Sequence, residues 1–116
     1  MVNRGALLLR YREPAVRWIN EADTYPRGSS VTLRDVNEER TVYLISDKAA
    51  DSPESLERWI KRHYVELFEA ELEGWYTDPD LWPKQKTYKM FSEWFEVECH
   101  TVLLDLAGGG IYDDET

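Results

Sequence analysis

Apolar positions in this chain form short strand-like runs toward both ends and one long helical stripe near the middle. Residues 6–11, ALLLRY, are short and largely apolar, with a run of four before Arg10, and suit a buried strand. Glu13-Pro14 interrupts it. Residues 15–20, AVRWIN, fit two patterns. Val16 and Trp18 alternate with Arg17 as in a strand, while Ala15, Trp18, Ile19 and Ala22 also recur as in a helix opened by Pro14. The β-preference of Val, Trp and Ile tips the reading toward strand. TLRDVNEE, from Thr32, predicts a short helix, with Thr32 as cap and Asp35 in the capping-box position. TVYLIS, 41–46, predicts another strand.

The strongest pattern follows. Ser52 caps, Pro53 takes the first helical position, Glu54 complements the dipole and Gly74 reads as the stop, which predicts a helix over 53–73. Leu56, Ile60, Tyr64, Leu67, Phe68, Leu72 and Trp75 fall on one broad face, with Arg58, Arg62, Glu66, Glu69 and Glu73 opposite. A Pro-broken connection, YTDPDLWPKQ, is expected to fold Leu81 and Trp82 back onto the body. TYKMFSEW suggests a helical turn, and 94–106, beginning WFEVECH, a last strand. YPRGSS, Tyr25 to Ser30, reads as a surface loop and 108–116 as a Gly-rich acidic tail that frays. These elements predict an α+β domain over 1–107. Its small antiparallel or mixed sheet of about four strands is covered on one face by the long helix.

Composition adds limits. With 116 residues, 42% of them hydrophobic and 13% aromatic, the chain can bury a core without staples. Cys99 is the single cysteine, so no internal disulfide forms. Neither a secretory apolar segment nor a run near the ~20 apolar residues of a membrane span is visible, and a cytoplasmic protein is expected. The formal net charge is −9, with the excess of acid carried by residues 51–116. No basic stripe accompanies it, which argues against nucleic acid and anionic membranes as partners.

Candidate chemistry gathers at Trp94–Leu106. Strand alternation puts Phe95, Val97, Cys99, Thr101 and Leu103 on an apolar face, and Glu96, Glu98, His100, Val102 and Leu104 on the other. Cys99 and His100 therefore point apart, and Cys99 reads as core packing. Glu96, Glu98 and His100 share a face and are the candidate metal ligands. The plainer reading is a solvated face paired with Arg40 or Arg17 across the sheet. His63 sits at the margin of the long helix's apolar stripe. Glu71 falls within that stripe, which predicts a buried carboxylate with a partner, an arginine from the first half ahead of His100. Glu71, His63 and His100 are the acid–base candidates. No cofactor motif is present. No complete catalytic constellation follows from two histidines and one cysteine. The reading is therefore a protein-interaction or self-associating module, a homodimer using surplus aromatics. Its alternatives are a metal-dependent or acid–base enzyme built on the Glu and His residues, and an acidic mimic of nucleic acid.

Overall fold

The computed structural model describes residues 3–22 and 30–107. Most of the expected surface loop at 25–30 and all of the expected tail at 108–116 lie outside the described residues. The chain is α+β. Its sheet has three strands in the order β2-β1-β3, all antiparallel: β1 is Arg4–Tyr11, β2 is Tyr43–Ser46 and β3 is Phe95–His100. The apolar run at the N-terminal end takes the central position, where both edges of a strand are hydrogen-bonded.

Register decides which side chains share a face. Leu7 lies opposite Tyr43 on one side and Cys99 on the other, and Tyr11 lies opposite Phe95. Leu7, Leu9, Tyr11, Ile45 and Phe95 therefore share the inner face, and all are buried in one core with residues of four helices. Ala6, Leu8 and Arg10 share the outer face with Leu44, Glu96, Glu98 and His100.

The expected fourth strand at 15–20 is a helix instead. α1 spans Glu13–Glu21 and buries Ala15, Val16 and Ile19. Pro14 holds the backbone ready for a first turn, and the helical spacing then overrides the β-preference of the individual residues. Packing closes the matter. The Trp18 indole donates to the Leu81 carbonyl at 2.9 Å, and the Tyr76 hydroxyl donates to the Ile19 carbonyl at 2.5 Å. Those bonds also fold residues 76–82 back onto the body, as expected, with the Trp82 indole donating to the Tyr76 carbonyl at 2.7 Å.

α2, Leu33–Val36, forms with the full capping box between Thr32 and Asp35. α3, Pro53–Trp75, begins at the Ser52 cap as the residues dictate. It buries Ile60, Leu67, Phe68 and Leu72. It runs past Gly74, which does not act as a stop. The Trp75 indole donates to the Tyr11 hydroxyl at 2.9 Å and Tyr76 turns extended, so the tertiary contact sets the end. A single 3-10 turn at Pro79–Leu81 precedes α4, Tyr88–Trp94, capped by Thr87.

The last strand is shorter than the sequence suggested. β3 stops at His100, which already faces Ala6 near the start of β1. Beyond it Val102, Leu104 and Leu106 are 71%, 66% and 92% exposed and take no regular structure. Gly5 is required for a different reason. A Cβ there would lie 2.6 Å from the Ala50 Cβ, so only glycine lets the turn after β2 close onto β1.

Candidate functional site

Three groupings of polar side chains stand out among the described residues. The first surrounds Glu71. α3 crosses the inner face so that this carboxylate meets both sheet tyrosines. Its Oε1 accepts from the Tyr11 hydroxyl at 2.6 Å, and its Oε2 accepts from the Tyr43 hydroxyl. The Trp75 indole completes the group through Tyr11. Asn37 fixes Tyr11 from behind: its Oδ1 accepts from the Tyr11 backbone N–H at 2.9 Å and its Nδ2 donates to the Tyr11 carbonyl at 3.2 Å.

Glu71 is thus paired, as its place in the stripe required, but with two phenols rather than an arginine or His100. A phenol is the cheaper partner to bury, since it brings no second charge to desolvate. Burial first, then the Glu71 charge and hydrogen bond, pushes the Tyr11 hydroxyl far above the usual phenol range. Burial and the Glu71 hydrogen bond do the same to Tyr43. Both phenols are held neutral as donors. The arrangement braces α3 on the sheet; it does not create a phenolate nucleophile.

The second grouping is the outer face of β3. Glu98 is its centre. The His100 Nε2 lies 2.8 Å from one Glu98 oxygen, and the Arg40 guanidinium 3.2 Å from the other, with Arg10 at 3.9 Å. Hydrogen bonds from His100 and then Arg40 hold the Glu98 carboxyl below the usual carboxylate range. Glu96 faces Arg12 at 3.5 Å. Of the two cations expected opposite this strand, Arg40 is used and Arg17 is not. Among the described residues, no three His, Cys, Asp or Glu side chains converge as a metal site. Glu96 and Glu98 face arginines, and His100 is taken up by its contact with Glu98.

His63 lies apart from both groupings. It stacks on Trp59 with ring centroids 4.4 Å apart, and its Nδ1 is 3.4 Å from Glu66. The histidines therefore do not meet Glu71, and the acid–base set of Glu71, His63 and His100 is not assembled in one place.

The third grouping has no counterpart among the residues singled out from sequence. A cleft of about 210 Å³ between the turn after β2 and the first half of α3 is lined by Lys48, Arg58, Arg62 and Trp59, with Ser46 and Ser55. Its only legible trace is the i, i+4 spacing of Arg58 and Arg62, which puts both on one side of a helix.

Cys99 lies on the inner face, as alternation predicted, but is half-buried rather than enclosed. Burial raises its thiol above the ordinary range, which lowers its reactive thiolate fraction. A maleimide or disulfide reagent at neutral pH should label the native chain more slowly than the unfolded chain. Equal rates would place the thiol in open water.

Compared with protein-family models, curated proteins and solved structures, the chain matches none of them. No helix among the described residues is long and apolar enough to cross a membrane.

Proposed function

We propose that this protein is a self-associating interaction module, and that a second copy of the chain covers the outer face of the sheet. The observation that carries the reading is the one-sided packing. α1, α3 and α4 bury the inner face, while the outer face presents Leu44, 51% exposed, beside half-buried Leu8 and over buried Ala6, with Val42, 53% exposed, two residues before Leu44. Apolar side chains on an open sheet face are the usual mark of a surface that meets another.

The support does not come from surplus aromatics. Trp94 is buried, and Trp18, Trp59, Trp75 and Trp82 pack against the core of the same chain. Aliphatic residues of the outer face take that role.

Charge favours a second copy as the occupant. The whole chain carries −9, which opposes association of like chains. The outer face is an exception, because Arg10, Arg12 and Arg40 stand among Glu96 and Glu98. In a twofold interface each patch meets itself reversed. A patch of mixed sign can then pair with its own copy, whereas a patch of one sign repels it. On that face Leu44, Ala6 and Leu8 form an apolar strip beside the charged side chains of β3, with Glu98 opposite Leu8 and His100 opposite Ala6.

The test is sedimentation equilibrium of the full chain at micromolar concentration, with the Leu44→Glu variant beside it. The parent is expected to dimerise, and Leu44→Glu to remain monomeric with an unchanged circular dichroism spectrum. Leu44 is exposed, so the substitution leaves the core untouched. A parent that stays monomeric at high micromolar concentration, or a variant that dimerises as well as the parent, overturns the proposal.

A further inference from the structure

The geometry points to a binding site for a small phosphate-bearing anion in the cleft formed by Lys48, Arg58, Arg62 and Trp59. The argument begins with charge. Acidic residues outnumber basic ones 23 to 14 in this chain, yet this cleft is lined by three cations and no carboxylate. Arg58 and Arg62 stand one turn apart on α3, an arrangement of like charges that disfavours the helix. Lys48 adds a third positive charge from the turn after β2.

No acidic side chain lines the cleft beside them. Among the described residues, Lys48, Arg58 and Arg62 form no ion pair. Glu57 is engaged with Lys61 at 3.3 Å and Glu66 with His63. Asp47 and Asp51, which flank Lys48 in sequence, line a different groove beside Arg4. The lining thus carries positive charge on a molecule of net charge −9, and a cleft with low-dielectric walls concentrates the field of its own lining.

The remaining lining supplies directed donors. The Arg58 guanidinium donates to Ser55 Oγ at 3.2 Å, which fixes its orientation. Trp18, Trp75 and Trp82 each satisfy their indole N–H within the chain. Half-buried Trp59 has no hydrogen-bond partner for its indole among the described residues. Its ring is instead held by His63. Two guanidinium groups, an ammonium and an indole N–H match the oxygens of a doubly charged phosphate better than those of a single carboxylate. A volume of about 210 Å³ accepts a phosphate group with a small substituent.

Isothermal titration calorimetry of the full chain tests this, with inorganic phosphate, a nucleoside monophosphate and acetate at matched ionic strength. Phosphate is expected to bind saturably and acetate weakly. Losing one charge-assisted hydrogen bond should weaken binding by about tenfold or more, so Arg62→Gln and Lys48→Gln should each show that loss. Lys84→Gln, an exposed cation elsewhere, should bind as the parent does. Equal affinity for phosphate and the nucleotide would assign the site to the phosphate group alone. Tighter nucleotide binding that is lost in Trp59→Phe would add the ring as a second contact. Absence of saturable phosphate binding, or unchanged binding in an Arg58→Gln/Arg62→Gln variant, would overturn the assignment.

Discussion

Glu71→Leu is expected to destabilise the folded chain by about 2–4 kcal/mol at neutral pH, the cost of orphaning one buried hydroxyl and one half-buried hydroxyl. Tyr11 is 6% exposed and loses its acceptor outright, while Tyr43 can recover water. Glu71→Gln keeps one carbonyl acceptor and should cost less, about 1–3 kcal/mol. Urea denaturation measures both, with the slope checked for constancy. The alkaline limb offers a second reading of the same contacts. Both phenols are raised in the folded state, so the stability they contribute is fully present below the ordinary phenol range near pH ~10 and is lost as pH climbs above it. A Glu71→Leu protein as stable as the parent at pH 7 would show that the carboxylate is a solvated surface group.

Phe68→Ala should cost about 3–5 kcal/mol, as expected when a buried phenyl ring leaves a cavity that its neighbours cannot collapse into. Phe68 is 0% exposed, and its ring lies 5.2 Å from Trp94, 5.5 Å from Phe95 and 5.9 Å from Phe91. These partners come from α4 and β3, so the cavity would open where the long helix, the short helix and the last strand meet. Each ring is braced by others and little relaxation is open to them. Guanidinium denaturation followed by tryptophan fluorescence reports the loss directly, because Trp94 borders the site. A cost below about 1 kcal/mol would mean the aromatic cluster can repack around the gap, contrary to a close-packed interior.

The two substitutions rank the contacts by burial. The ion pairs around Glu98 are more numerous than the bonds to Glu71, but they lie on an open face where water and salt compete, and such pairs contribute little. Glu71 holds fewer partners in a drier place. This is why a phenol–carboxylate contact is expected to matter for stability, while the outer-face charges matter for which surface can approach.

How much of this was legible beforehand differs by element. The start of α3 was, because Ser52 and Pro53 act within one turn of where they stand. So was α2, whose capping box closes between Thr32 and Asp35. The inner and outer faces of β3 followed from simple alternation, and with them the opposite directions of Cys99 and His100. Glu71 was recognisable as a misfit on an apolar stripe, but the stripe names no partner. Tyr11 and Tyr43 escaped notice because tyrosine on a strand already reads as packing, as Trp75 did on the helix stripe. Nothing in the neighbourhoods of Tyr11 and Tyr43 marks them as donors to one carboxylate.

By itself, then, the sequence determined the long amphipathic helix, its N-terminal cap, the buried first strand, the α+β class and the paired state of Glu71. Each depends on periodicity, on residues a few positions apart, or on the general cost of burying a lone charge. Tertiary structure alone decided that 15–20 is a helix, that the sheet has three strands, and where α3 and β3 end. It also chose phenols for Glu71, from positions 60 and 28 residues away, and gathered Lys48 with Arg58 and Arg62 around a cleft. Those outcomes depend on which distant segments pack together, and the free energy of that packing outweighs the local preference of any one residue.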